Sequence, residues 1–139
     1  MRVQRMMGPT KNWLIATYGT KYAMEALKHA AYSCTAMSLV PNVTILVVAT
    51  DRKHEAEGTA ILEESHQVFD DIVLGRVSPE MELRIGDAAE EILLAAREHE
   101  IDHLFMGAGD FKYDINVTNE GGISNKILNG FHGTITLVK

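Results

Sequence analysis

A chain of 139 residues is long enough for one domain with a real core, and an apolar content of 46% with 23% charged residues is that of a soluble globular protein. The net charge of −6, with no cluster of Lys and Arg, argues against nucleic acid or an anionic membrane surface as a partner. The single cysteine, Cys34, cannot close an internal disulfide, and no apolar run approaches the ~20 residues of a membrane helix, so a cytoplasmic protein is expected.

Residues 1–11 carry Arg2 and Arg5 but lack the apolar core and cleavage site of a signal peptide. They read as a flexible tail before a single domain over 12–139. The run from Trp13 to Thr17 is a buried strand that ends in the turn Tyr18-Gly19-Thr20. From Lys21 to Ser38, apolar residues at Ala23, Leu27, Ala30, Cys34 and Met37 fall on one helical face. Pro41-Asn42 interrupts. The β-branched run from Val43 to Ala49 reads as a central parallel strand.

A second helix is expected from Ala56 to Leu74, with Ile61, Ser65, Val68 and Ile72 inward and Gly75 as its stop. Met81 to Ile85 is a weaker strand. Asp87 to Glu90 has the form of a capping box, and the helix behind it runs to about Glu100, burying Ala89, Ile92, Leu93 and Ala96. His103 to Met106 is a strand, Ile123 to Phe131 a short helix with Ile127 and Leu128 inward, and Thr134 to Val138 a closing strand. Strands alternating with helices imply an α/β fold, an open parallel sheet with helices on both faces. Ligands on such sheets sit beyond the carboxyl ends of the strands, where strand order reverses. That singles out Thr17-Tyr18-Gly19, Val48-Ala49-Thr50 and the stretch FMGAGDFKYDINVTNEGGISNK, from Phe105 to Lys126.

Several motifs carry the resemblance to a known family. Gly86-Asp87-Ala88-Ala89-Glu90-Glu91-Ile92 resembles the Gly-x-Pro-Ala-Glu-x-Ile helix start of the universal stress proteins. Leu104-Phe105-Met106-Gly107 resembles their fourth strand and its following glycine. Gly121 to Val138 has their spacing of loop glycine, short helix and closing strand, and the opening WLIATYGTKYAMEAL follows their first strand and helix. The resemblance spans Trp13 to Lys139. It implies a five-stranded Rossmann-like sheet of order 3-2-1-4-5 and a homodimer formed through the last strand, 134–138. It also implies, for many members, ATP bound through a Gly-x-x-Gly-x9-Gly-(Ser/Thr) loop.

Carried onto this sequence, the candidate nucleotide site is Thr17, Tyr18, Gly19, Val48, Gly107, Gly109, Gly121, Gly122 and Ser124. The chain departs from the binding pattern at four places. Asp110 replaces the second motif glycine, Gly121 comes one residue late, Gly122 stands where Ser or Thr is expected, and Tyr18 takes the place of an aspartate at the end of strand one. Phosphate binding rests on free backbone N–H groups and the positive end of a helix, and Gly121-Gly122 keep both. Asp110 opposes it, at roughly 1 kcal/mol for charges ~4 Å apart in water. From Phe105 to Lys126 the acids Asp110, Asp114 and Glu120 outnumber the lysines Lys112 and Lys126, unless Mg²⁺ bridges an acid to phosphate. The expected function is therefore a non-catalytic, dimeric stress-response module with a degraded nucleotide loop and no cofactor. The alternative is an ATP- or AMP-binding member using 107–124, with Mg²⁺ only alongside nucleotide.

Other motifs read as structural. Gly107-Ala108-Gly109 begins a dinucleotide fingerprint but has Lys112 at its third glycine, and no P-loop occurs. A phosphoacceptor receiver needs acids at the end of strand one, whereas Thr17-Tyr18 stand there and Asp70-Asp71 belong to the second helix. His99 and His103 are four apart but straddle a helix–strand junction, which breaks a shared metal-binding face. Cys34 on an apolar helical face reads as a small hydrophobe.

Overall fold

The computed structural model describes residues 11–108 and 122–139. Strand β1 (Asn12–Ala16) is followed by α1 (Lys21–Thr35), β2 (Asn42–Ala49), α2 (Glu55–Val73), β3 (Glu80–Ile85), α3 (Ala88–Glu98), β4 (His103–Gly107), α4 (Ile123–Gly130) and β5 (Thr134–Val138). The strands form one parallel sheet of order β3-β2-β1-β4-β5, as expected. The register runs Trp13 beside Val43 and His103, and Leu104 beside Ile135. The tail assigned to 1–11 lies outside the described residues except for Lys11.

Strand alternation sends side chains to two cores. Trp13, Ile15, Val43, Ile45 and Phe105 face α1 and α2, where Leu27, Cys34, Phe69 and Val73 meet them. Leu14, Ala16, Leu46, Val48, Leu104 and Met106 face α3 and α4, where Ala89, Ile92, Ala96 and Ile127 meet them. Each large side chain that is fully buried contributes about 1.5–3 kcal/mol, and β1, β2 and β4, filled on both faces, hold most of them. Among the described residues, no helix is long and apolar enough to cross a membrane.

Four local expectations are corrected. Helix α1 stops at Thr35 and not Ser38, because Ala36 N–H and Met37 N–H turn back to Ser33 O and Cys34 O in a tightened last turn before Pro41. In α2 the buried row is Ser65, Phe69 and Val73, while Ile61, Val68 and Ile72 are half-buried. Phe69 has the largest volume to hide, and it rotates the inward face by one residue. Helix α3 ends at Glu98, with Ala88 and Ala95 joining Ala89, Ile92 and Ala96 inside and Leu93 half-buried. Leu128 is 47% exposed, because an eight-residue helix presents little more than Ile127 to the core. Gly130 brings α4 close to α3, where a Cβ would stand 2.8 Å from Leu93 Cδ1.

Candidate functional site

At the carboxyl edge of the sheet, β1 and β4 are neighbours whose chains leave toward opposite faces, β1 toward α1 and β4 toward α4. This is the crevice-forming arrangement of open α/β sheets. Thr17 extends the β1–β2 pairing by one bond, its N–H donating to Leu46 O at 3.0 Å, and its buried Oγ1 accepts from Gly19 N–H at 3.2 Å. Gly19 has φ +75°, and a Cβ there would stand 3.3 Å from Ile61, so both conformation and space favour glycine.

Tyr18 points to the α3–α4 side and packs on the core that contains Ala16, Val48 and Ala88. Its hydroxyl oxygen is closed off from solvent. Burial, reinforced by the Asp87 carboxylate, pushes the phenol well above its ordinary pKa. It stays neutral, as a filler of the gap between the β1 end and the start of α3. Asp87 is itself committed, because its carboxylate accepts from Glu90 N–H at 3.0 Å as the cap of α3. The expected cap is therefore present.

Val48 is buried on β2, and Ala49 O accepts from Gly86 N–H at 2.9 Å. Gly107 closes β4 and is buried, and Ala108 N–H donates to Val138 O at 2.7 Å. Gly122 stands at the start of α4 with extended φ/ψ and no side-chain cap, and Ser124 lies in the first turn. The structure thus brings Thr17, Tyr18, Gly19, Val48, Gly107, Gly122 and Ser124 to one edge. Gly109 and Gly121, with Asp110, Lys112, Asp114 and Glu120, lie outside the described residues.

Sequence reasoning passed over Thr20. It precedes α1 with extended φ/ψ but does not cap it, and its Oγ1 is buried without a hydrogen-bond partner among the described residues. A threonine directly before a helical pattern was the available signal. His99 and His103 are not brought together. His99 Nε2 is 2.7 Å from Glu82 Oε1, and His103 Nε2 is 2.8 Å from Thr136 Oγ1. Cys34 is buried, and burial, opposed by Arg76, pushes its thiol up to about 11, leaving little thiolate for chemistry.

Solved structures with this architecture supply the comparison. The UspA of Lactobacillus plantarum superposes with a TM-score of 0.75 at 15% identity, covering 95% of this chain and 99% of that one. The fold is that of the universal stress proteins. A universal stress protein in complex with cAMP gives a TM-score of 0.75 at 16% identity, covering 94% of this chain and 98% of that one. The universal stress protein of Archaeoglobus fulgidus in complex with dAMP gives 0.70 at 13% identity, covering 96% and 100%. The likeness to universal stress proteins is one of structure, since no protein-family model matches the sequence and no curated protein does.

Proposed function

We propose that this chain is a non-catalytic universal stress protein, a homodimeric regulatory module whose nucleotide crevice no longer takes adenosine. The observation that carries this reading is the Tyr18 ring packed on the α3–α4 core at the end of β1, its hydroxyl oxygen closed off from solvent, where the sequence resemblance calls for an aspartate. A ring there removes both the space and the acceptor that a nucleoside would use. With Tyr18 in that place, the described residues of this edge suit a nucleotide poorly.

Dimer formation is supported by the contrast between the two sheet edges. Strand β3 carries Glu80, Glu82 and Arg84 along its length, charges that discourage strand addition. Strand β5 is Thr-Ile-Thr-Leu-Val, uncharged and fit to pair with a second copy about a twofold axis.

A second reading, binding of ATP or AMP with or without Mg²⁺, is favoured by the mononucleotides bound to two fold relatives and by the uncapped start of α4 at Gly122. The two readings part in one experiment. Purified protein is denatured and the released small molecules are analysed by mass spectrometry, and intact protein is then heated with ATP, AMP or cAMP plus Mg²⁺. The first reading expects no released nucleotide and no thermal shift. Copurifying nucleotide, or a shift that saturates with concentration, overturns it, since a ligand of the native state must stabilise that state.

A further inference from the structure

The opposite, amino-terminal end of the sheet holds a cavity of about 300 Å³. Asn12 of β1, Asn42 and Thr44 of β2, and Glu80 of β3 line it, with Ser78 and the α3 cap residue His99. By register and alternation the four strand residues share a face with Leu14 and Leu46, the face that α3 and α4 cover farther along. Here that face is polar. Thr44 is 7% exposed, yet its hydroxyl has no hydrogen bond among the described residues. Its oxygen is not among the closed-off polar atoms, so it faces the cavity and is open to a hydrogen bond from what enters there.

The neighbouring groups are mostly fixed and mostly acceptors. Asn42 Nδ2 donates to Asn12 Oδ1 at 3.0 Å and Asn12 Nδ2 to Glu100 O at 3.0 Å, which leaves Asn42 Oδ1 as an acceptor. His99 is held by Glu82 at 2.7 Å. Burial opposes ionisation of Glu82, but its bonds to His99 and Arg84 outweigh this and keep its carboxyl below the ordinary range, so that charge is already matched. The Glu80 carboxylate has no ion pair among the described residues, and neither Lys nor Arg lines the cavity. Val43 and Ile101 add apolar wall. One unmatched carboxylate, an amide oxygen and two hydroxyls suit a ligand with several donors and one positive charge.

We propose that this cavity binds a small hydroxylated ammonium compound, its ammonium on Glu80 and Asn42 Oδ1 and its hydroxyl on Thr44. The site lies at the other end of the strands from Tyr18 and does not depend on the reading of the carboxyl edge. The probe is ethanolamine at neutral pH, titrated into the full-length ¹⁵N-labelled protein to ~50 mM, the range in which so small a ligand binds. Saturable displacement of the Asn12 and Asn42 side-chain amide signals is expected. Glu80→Gln should weaken binding about fivefold, the worth of an exposed ion pair. Thr44→Val should weaken it by a similar factor, roughly fivefold, because the hydroxyl that meets the ligand is gone. Acetate, of similar size and opposite charge, should leave the signals in place. The proposal is overturned if ethanolamine gives no saturable change, if acetate displaces the same signals, or if folded Glu80→Gln binds as the parent does.

Discussion

His103 Nε2 lies 2.8 Å from Thr136 Oγ1, so β4 grips the edge strand β5 through side chains as well as through the ladder. The His103 ring is stacked on Phe105, centroids 4.1 Å apart and planes 12° apart, and Trp13 lies 5.3 Å away. Burial in this stack disfavours the imidazolium, Asp102 favours it and His29 of α1 disfavours it, and the net effect is a pKa below the ordinary histidine value. The unfolded chain then binds the proton more readily than the native one. This contribution leaves stability intact above the unfolded-state pKa of about 6.5 and removes it as pH falls through the folded value. Urea midpoints should therefore drop between neutral and mildly acidic pH. His103→Gln should flatten that drop, and an equal drop in the variant would assign the effect elsewhere.

Tyr18 is the second test. Tyr18→Asp removes the ring that fills the β1 crevice and places a carboxylate where a ribose hydroxyl or a metal can reach it. Losing the ring should cost about 2–4 kcal/mol of stability, with a lower urea midpoint. The same variant should gain a thermal shift with AMP that the parent lacks. A variant that folds and still ignores nucleotide would remove Tyr18 as the reason for the parent's behaviour.

Arg84 ties β3 to α3. Its side chain is 13% exposed and meets Glu82 at 2.6 Å, Glu91 at 3.4 Å and Glu98. Arg84→Met leaves three carboxylates facing one another. The expected cost at neutral pH is about 1–3 kcal/mol, less than for a fully buried pair because Glu98 is half exposed. Protonating the acids relieves the repulsion, so the deficit measured by denaturant titration should shrink near pH ~4. A deficit that is constant across this range would mean lost packing of the arginine stem instead.

The order of elements and the sheet topology were legible because β1, β2 and β4 are buried on both faces and read as continuous apolar runs. The Asp87 cap and the Gly75 stop were legible because each acts within a few residues, although the left-handed cap itself falls on Leu74 at φ 52°. Which α2 residues turn inward was not legible. That choice depends on Phe69 finding space under α1, and on Gly58 letting the helix approach Leu83, where a Cβ would stand 2.9 Å from Cδ1. At the site, Thr17 and Gly107 follow from strand ends alone. The packing of Tyr18 on the α3–α4 core follows only from the position of α3 above it, which no local pattern encodes. The Asn12–Asn42–Thr44 surface was missed for the same reason, since Asn12 is thirty residues from Asn42 in sequence and joins it only by register.

At the β5 edge, backbone directions make a test of the dimer specific. Thr134 N–H donates to Asp102 O at 3.0 Å, and Val138 O accepts from Ala108 N–H at 2.7 Å, so the even-numbered residues of β5 turn their backbone groups toward β4. By alternation, Ile135 and Leu137 turn theirs outward, to the edge that a second copy would pair with. Ile135 also packs its side chain on the α3–α4 core, whereas Leu137 is 37% exposed. Leu137→Pro therefore removes an outward donor while sparing both the internal ladder and the core. Light scattering should give a dimer for the parent and a monomer for Leu137→Pro, with circular dichroism showing an unchanged fold. A monomeric parent would refute the dimer. A Leu137→Pro variant that stays dimeric would move the interface away from β5, to other exposed apolar residues such as Tyr22 and Tyr32 of α1.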